Sequence, residues 1–164
     1  MITLFRIDER LIHGQVAIKW SKHSCVDHIV VANDNASNNT IVQKTLKMAA
    51  PAGVKTAIKS VDDSINLLND PRTEKMKILV LVDNPSDALT LINNINNIPY
   101  INVGNFGRIA QEKIGEKRTR YAGNLYCYEE EKEIFGNIIN TGMKCVYQTT
   151  PEDGAEDISK LLDL

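Results

Sequence analysis

Cysteine is scarce in this sequence and lies in no metal-binding pattern. Cys25, Cys127 and Cys145 are far apart, form no CxxC pair, and have no histidine or cysteine neighbour at the spacing of zinc ligands. A chain of this length buries roughly 70% of its unfolded surface, so it needs neither a disulfide nor a metal to hold its core. We therefore predict three reduced thiols in the hydrophobic core and no metal site.

Long apolar runs are missing as well. The first ten residues, MITLFRIDER, include Arg6, Asp8 and Glu9 before any apolar run as long as a signal peptide needs. No segment approaches the roughly 20 apolar residues that cross a bilayer. The sequence accordingly predicts a cytoplasmic protein.

The sequence also lacks an excess of either charge. The 19 Lys and Arg residues nearly balance the 21 Asp and Glu residues, which gives a net charge of −2 at pH 7. That balance disfavours general electrostatic binding to nucleic acid or to anionic lipid. The chain has no GxGxxG pattern, P-loop lysine motif or GxSxG serine, so nucleotide binding and acyl transfer lose support.

Short β-branched runs alternate with longer stretches of helical period, which indicates an α/β domain with a largely parallel sheet. The predicted strands are Ile2–Ile7, His28–Ala32, Lys55–Ile58, Lys77–Val82, Tyr100–Val103 and Lys144–Gln148. The predicted helices are Gly14–Lys22, Ser37–Ala49, Val61–Leu68, Ser86–Ile95, Glu129–Asn140 and Ala155–Leu162. No linker divides the chain, so we predict one domain over residues 1–164. Residues 104–128 are interrupted by glycines, although Thr119–Ala122 and Leu125–Cys127 fit short edge strands.

The densest polar cluster in the chain directly follows the first predicted strand. It runs from Arg6 to Val16, RIDERLIHGQV, and ends in the first turn of the next predicted helix. Ligands of open α/β sheets collect at the carboxyl ends of the strands. Free amides at a helix start attract anions and arginines add forked donors, so this environment suits a phosphate group.

His13 in that cluster admits two interpretations. Imidazole is partly unprotonated near neutral pH and can act as a nucleophile, so a phosphoryl group carried on its ring is attainable. The alternative is a histidine that only caps or packs against the helix start. His23 and His28 have no comparable surroundings, and we interpret both as structural or solvated.

Polar residues at other strand ends are weaker candidates. Asn33–Asp34, Asp83–Pro85 and Asn102–Asn105 either cap helices or line the same pocket as His13. Residues 108–120 contain five basic and two acidic residues, whereas residues 129–164 contain nine acidic and three basic ones. Either both segments are solvated surfaces, or the basic one approaches a phosphate.

At RIDERLIHGQV the sequence resembles the IIB component of the mannose/fructose/sorbose family of the bacterial phosphoenolpyruvate-dependent sugar phosphotransferase system. The resemblance continues through Trp20, VANDNA at 31–36, LKMAAPAGVK at 46–55, PSDA at 85–88 and INVGN at 101–105. Several matches in the same order make it specific. RIDERLIHGQV, VAND and INVGN together are most similar to N-acetylgalactosamine or galactosamine-type members.

The resemblance implies a phosphocarrier that associates with a membrane transporter. Such a protein takes a phosphoryl group from the phosphohistidine of a IIA domain and passes it to a sugar that enters through the IIC and IID subunits. His13 aligns with the family's phosphorylated histidine. The implied fold is an open, twisted sheet of seven strands between helices on both faces, mostly parallel with one antiparallel edge strand from residues 104–128. Residues 106–123 depart from the family pattern, so no phosphate contact is carried over to Arg108, Arg118 or Arg120.

We therefore predict phosphoryl transfer through His13 without a metal or another cofactor, because arginines and amides can neutralise the developing charge. The surrounding residues have assigned roles. Arg6 and Arg10 stabilise charge, and Asp8 orients either the His13 ring or an arginine. The amides of Gly14, Gln15 and Val16 are donors, and the secondary pocket candidates are Asn33, Asp34 and Gly104. His13 should be accessible on a shallow loop, since a carrier presents it to two partners in turn. The alternative function is a non-catalytic α/β module that binds a small molecule or regulates, in which His13 only donates a hydrogen bond.

Overall fold

Strands and helices alternate along residues 1–164, all of which the computed structural model describes. The strands are β1 (Ile2–Asp8), β2 (His28–Ala32), β3 (Lys55–Lys59), β4 (Ile78–Val82), β5 (Ile101–Asn105), β6 (Thr119–Ala122), β7 (Leu125–Cys127), β8 (Cys145–Tyr147) and β9 (Glu156–Asp157). The helices are α1 (Gly14–His23), α2 (Asp34–Ser37), α3 (Thr40–Ala49), α4 (Val61–Leu68), α5 (Pro85–Asn94), α6 (Glu129–Asn140) and α7 (Ile158–Leu162), with a 3-10 helix at Pro71–Lys75. The predicted α/β class is confirmed.

Seven of the strands form one sheet in the order β3-β2-β4-β1-β5-β8-β9. Every neighbouring pair is parallel except β8 and β9, where Val146 pairs with Asp157 at the edge. The central strand β4 is apolar and buried throughout, as a strand covered on both faces must be. The predicted sheet of seven strands, mostly parallel with one antiparallel edge strand, is confirmed.

Helices cover both faces of the sheet because the chain first moves toward one edge, from β1 to β3, and then back across. Helices α1 to α3 pack on one face, where Trp20 and Leu46 join a core with Leu79 and Leu81. Helices α4 to α7 pack on the other face, in a larger core that contains Phe135. None of the helices is long and apolar enough to cross a bilayer.

The predicted helix Ser37–Ala49 begins later in the structure, at Thr40 (α3), and a separate short helix, α2 (Asp34–Ser37), precedes it. The Asn33 side chain caps α2 by accepting from the amide of Ala36 at 2.8 Å. The Asn39 side chain caps α3 by accepting from two amides of its first turn. Each cap satisfies amides that a helix start leaves without an acceptor, so α3 begins after Asn39 and not at Ser37 as predicted.

The expectation that residues 104–128 supply the edge strand is wrong. The edge strand is β9, Glu156–Asp157, which lies inside the helix predicted over Ala155–Leu162. Strands β6 and β7 instead form a separate antiparallel hairpin. The amide of Asn124 in the hairpin turn donates to the hydroxyl of Tyr147 at 2.9 Å, which fastens the hairpin to β8.

Two of the three cysteines are core residues, as predicted. Cys127 and Cys145 are buried, and burial raises the pKa of each thiol to about 12. Cys25 is exposed, so its predicted core position is wrong. It follows α1 with a left-handed φ of +52°, in the turn between α1 and β2.

Candidate functional site

The turn after β1 lies where the chain leaves two neighbouring strands toward opposite faces of the sheet. From β1 the chain continues into α1 on one face, whereas from β5 it continues toward α6 on the other. Such a divergence opens a crevice at the carboxyl ends of the two strands, where open α/β sheets bind ligands. The predicted cluster RIDERLIHGQV occupies this edge.

A tight turn presents His13 at this edge. The amide of Leu11 donates to the carbonyl of Asp8 at 2.8 Å, and Leu11 adopts a left-handed φ of +55°. Because that conformation is unfavourable for leucine, the surrounding contacts must maintain it. The next residue, Ile12, is buried in the core beneath α1 and anchors the chain one residue before His13.

His13 itself is the N-cap residue of α1 and is partly exposed. Its backbone is extended, with φ −141° and ψ 111°, and its side chain caps no helix amide. The His13 ring therefore makes no capping contact with the helix, and solvent can reach it.

The start of α1 offers unpaired amides beside the histidine. Gly14 opens the helix with φ +43°, a conformation that glycine adopts without Cβ strain. The amide of Ala17 makes the first intrahelical bond, to the carbonyl of His13 at 3.3 Å. The amides of Gly14, Gln15 and Val16 precede it and so have no acceptor within the helix. Since the first turn of α1 has no acidic residue, these amides and the helix dipole favour an anion here.

Arg6 lies beneath the turn and is only 2% exposed. One terminal nitrogen donates to the side chain of Asn102 and to the carbonyl of Gln148, the latter at 3.1 Å. The other donates to Asp8 Oδ2 at 2.9 Å and to the carbonyl of Thr149 at 3.0 Å. These bonds use all four terminal N–H groups. The structure therefore places Arg6 inside the fold rather than at a surface where it could contact a phosphate.

The guanidinium of Arg6 keeps its charge in this enclosure. Burial lowers its pKa, and the Asp8 carboxylate opposes that shift. The guanidinium carbon lies 5.4 Å from the centre of the Trp20 ring, whose Nε1 donates to the Thr149 carbonyl at 3.0 Å. On the other side, a Cβ at Gly104 would lie 1.8 Å from Arg6 Nη2. Gly104, a secondary pocket candidate, therefore makes room for Arg6.

Asp8 is 1% exposed and contacts two arginines rather than the ring of His13. Its Oδ1 accepts from the backbone amide of Arg10 at 3.1 Å and lies 3.8 Å from Arg10 Nε. That Nε is buried without a hydrogen-bond partner, whereas 34% of the Arg10 side chain is exposed. Arg10 is thus tethered at its base, and its outer part faces solvent on the His13 turn.

Asn33 and Asp34 belong to a neighbouring network at the carboxyl ends of β2 and β4. Asn33 Nδ2 donates to Asp83 Oδ2 at 2.7 Å, and Asp34 Oδ1 accepts from the first amide of α4 at 2.9 Å. Burial, and then the charges of Asp83 and Asp34, raise the pKa of Asp87 in this network. No hydrogen bond joins the network to the His13 turn, so these two secondary candidates are separate from it.

The arginines of the basic segment are paired within the fold. The side chain of Arg118 is 6% exposed and donates to Glu131 at 2.8 and 2.9 Å, and this pairing raises the pKa of Arg118. Arg108 donates to Asn124 Oδ1 at 2.7 Å, and Arg120 donates to a carbonyl of its own hairpin at 3.3 Å. These contacts favour a structural role for the segment over phosphate binding.

The other two histidines lie outside the turn. His23 is exposed at the end of α1, and its ring meets the edge of Trp20 at 5.6 Å between centroids. His28 Nδ1 lies 2.5 Å from Asp27 Oδ1, at the amino end of β2. Both placements agree with the predicted structural or solvated roles. No group of histidine, cysteine, aspartate or glutamate side chains is arranged to hold a metal ion.

The sequence of the whole chain agrees with one family of phosphate-transferring proteins. The family model described as "PTS system sorbose subfamily IIB component" matches residues 2–164, where PTS stands for phosphotransferase system. The chain belongs to this family. It is therefore a PTS IIB component, a phosphotransferase of bacterial sugar transport, as the motif RIDERLIHGQV implied.

Individual relatives cover the chain from end to end. A probable phosphotransferase enzyme IIB component of Streptococcus pyogenes serotype M6 is 48% identical, over 99% of this chain and 100% of its own. The N-acetylgalactosamine-specific phosphotransferase enzyme IIB component 2 of Escherichia coli K12 is 31% identical over 98% of each chain. The IIB domain of the Klebsiella pneumoniae sorbose permease, solved as a crystal structure, has a TM-score of 0.90 and 26% identity, over 99% of this chain and 96% of its own.

Of the groups that hold Arg6 in this IIB component, Asp8 and Asn102 are among the predicted candidates, but the others are not. Trp20 has no predicted role, and the carbonyls of Gln148 and Thr149 are backbone groups that no side-chain pattern reveals. The one available clue is an arginine within the predicted strand Ile2–Ile7, where the only other polar residue is Thr3. A buried guanidinium requires partners for its N–H groups, but their identity depends on which loops the fold brings together.

Replacement of Gly104 by alanine should displace the Arg6 guanidinium and lower the free energy of unfolding by about 1–3 kcal/mol, as overpacking of a closed interior does. The matched control is Gly154→Ala, because a Cβ at Gly154 meets nothing within 4 Å and its φ is not left-handed. The control should stay within about 0.5 kcal/mol of the parent. Urea unfolding measures both. Equal stability of the two variants would contradict the packing role of Gly104.

Proposed function

We propose that this IIB component carries a phosphoryl group on His13. The donor is the phosphohistidine of a IIA domain, and the acceptor is a sugar that enters through the membrane subunits IIC and IID. The protein then works in the cytoplasm and associates peripherally with the transporter. The observation that carries the proposal is the partly exposed His13 ring, which caps no amide and lies directly before the unpaired amides of α1.

The proposed transfer consists of two displacements at phosphorus. In the first, an unprotonated ring nitrogen of His13 bonds to the phosphorus as the nitrogen–phosphorus bond of the donor histidine breaks. In the second, a sugar hydroxyl oxygen bonds to the phosphorus, the bond to His13 breaks, and the hydroxyl proton is released. Neither step needs a redox partner or a metal to balance.

The residues around His13 divide into those that face the phosphate and those that support the turn. Arg10 and the amides of Gly14, Gln15 and Val16 neutralise the equatorial charge. The Arg10 side chain is 34% exposed and its Nε has no hydrogen-bond acceptor. The three amides precede the first hydrogen bond of α1. Arg6 is proposed to stabilise that charge from beneath, without contact, because all its terminal donors are used. Asp8 orients Arg10.

The sugar is proposed to be an amino sugar such as N-acetylgalactosamine. The support is the combination of RIDERLIHGQV, VAND and INVGN, together with a relative whose printed name is N-acetylgalactosamine-specific. Relatives named for fructose and sorbose are 29% and 36% identical, so these two sugars are the comparison in the test below.

Substitution of His13 by alanine should abolish phosphate acceptance and change the free energy of unfolding by less than about 1 kcal/mol, since a partly exposed side chain contributes little to the core. Intact mass spectrometry after incubation with phosphoenolpyruvate and the upstream phosphotransferase proteins should show one acid-labile, base-stable phosphate on the parent. His23→Ala is the matched control and should accept phosphate normally. An unmodified parent mass would instead favour the alternative, a non-catalytic binding module.

Substitution of Arg10 by alanine should slow phosphate acceptance by about 10²- to 10³-fold, because one preorganised donor at a developing charge is worth that much. Arg10→Lys should recover part of the rate, since an ammonium cannot reproduce the forked contact. The control is Arg72→Ala, whose side chain is 87% exposed and pairs only with Asp70. Rapid-quench measurement of the phosphorylated fraction gives the rates. A parent-like rate for Arg10→Ala would make Arg10 a structural residue.

The rate of phosphoryl transfer from the protein to a sugar should be greatest with N-acetylgalactosamine or galactosamine. The assay combines the phosphorylated protein with membranes that contain the IIC and IID subunits and measures sugar phosphate. Sorbose and fructose serve as comparison sugars, and His13→Ala serves as the blank. Phosphorylation of sorbose alone would disprove the amino-sugar assignment and leave the carrier role intact.

A further inference from the structure

Glu9 follows β1 directly, and its carboxylate lies in a ring of backbone amides. Oε1 accepts from the amides of Arg108 and Ile109, each at 3.0 Å. Oε2 accepts from the amides of Gly107 at 3.1 Å and Ala110 at 3.0 Å. Four consecutive amides, which we call the 107–110 nest, therefore converge on one side chain.

The nest is a built feature of the backbone rather than a chance approach. Gly107 has a φ of +86°, and a Cβ there would lie 2.0 Å from the carbonyl oxygen of Tyr126. Only glycine fits at this corner. The far end of the nest is also fixed, because Arg118 Nη1 donates to the carbonyl of Ala110 at 3.0 Å. Arg118 is in turn paired with Glu131 on α6.

Glu9 thereby joins the His13 turn to a part of the fold that the turn does not otherwise contact by side-chain hydrogen bonds. Asp8 and Glu9 are adjacent, and their carboxylates have separate sets of partners. Asp8 binds Arg6, which packs against Trp20 on the α1 side of the sheet. Glu9 binds the nest, which Arg118 connects to α6 on the opposite side. The turn is consequently held from both sides four residues before His13.

The nest also partly offsets a charge that would otherwise oppose phosphate. A free carboxylate on this turn would repel a phosphoryl group arriving at His13. Four amide dipoles aimed at the carboxylate offset its charge, as they do in backbone sites for anions. The Glu9 carboxylate is therefore held in the nest, where the four amides partly offset its charge.

We propose that Glu9 is a positioning residue for phosphoryl transfer, acting by locking the His13 turn onto the 107–110 nest. This role rests on the proposed carrier function. Glu9 does not touch the reacting atoms. It holds the His13 ring where the donor phosphorus can reach it in line, and displacement of such a group by about 1 Å is enough to slow transfer by up to roughly 100-fold.

The test compares Glu9→Ala and Glu9→Gln with the matched control Glu112→Gln, an exposed carboxylate in the same segment. The first measurement needs no phosphate transfer. Nuclear magnetic resonance should show amide hydrogens of residues 107–110 exchanging at least about tenfold faster in Glu9→Ala, with a shifted His13 ring signal. The control should match the parent in both.

The second measurement is the rate of phosphate acceptance at saturating donor. It should fall by about 10- to 100-fold in Glu9→Ala and less in Glu9→Gln, which keeps one oxygen acceptor. Added acetate should restore part of the rate to Glu9→Ala by occupying the nest, and should do nothing for His13→Ala. A residue that only stabilises the fold would show no such rescue.

Two results would overturn the proposal, and they are distinguishable. If Glu9→Ala accepts phosphate at a rate within twofold of the parent although the amides of residues 107–110 exchange faster, Glu9 stabilises only the loop and does not position His13. A slow variant that acetate leaves unchanged also removes the positioning role. If the parent protein accepts no phosphate, the proposed carrier function is wrong. The nuclear magnetic resonance measurement still shows whether Glu9 holds the turn.

Discussion

The carboxyl edge of this sheet is organised around a buried positive charge. A guanidinium that is 2% exposed is tolerated only when its N–H groups have acceptors, because an unpaired buried charge costs several kcal/mol. Arg6 obtains them from three places in the chain: Asp8 on its own strand, Asn102 on β5, and two carbonyls after β8. The strand ends and the loop after β8 must therefore meet at one point.

That requirement places the groups of the site. The Asp8 carboxylate binds Arg6 with one oxygen and the Arg10 amide with the other, so the buried charge below fixes the base of the exposed arginine above. The Thr149 carbonyl accepts from both Arg6 and Trp20, which joins α1 to the same arrangement. His13 is the N-cap residue of α1, so these contacts fix its position, although its own side chain takes part in none of them.

The edge strand of the sheet could not be predicted from the local sequence pattern. Strand β9 has two residues, both exposed, and pairs through its backbone with β8. Two charged residues before an apolar helix carry no strand signal, because period-2 alternation needs a longer run. The hairpin β6–β7 is the opposite case. Its strands are predicted correctly, but they form a two-stranded sheet of their own, and the contact of its turn with Tyr147 places that sheet against β8.

The sequence by itself determines the α/β class, the positions of the central strands, and the cluster RIDERLIHGQV at the end of the first one. It does so because burial on both faces imposes long apolar runs, and because one continuous segment carries the family motif. Only the tertiary structure separates the arginines, with Arg6 inside and Arg10 outside, and only it brings Glu9 to the amides of residues 107–110. Those contacts join residues about a hundred positions apart, many of them through backbone atoms that every residue shares, so no local pattern of side chains records them.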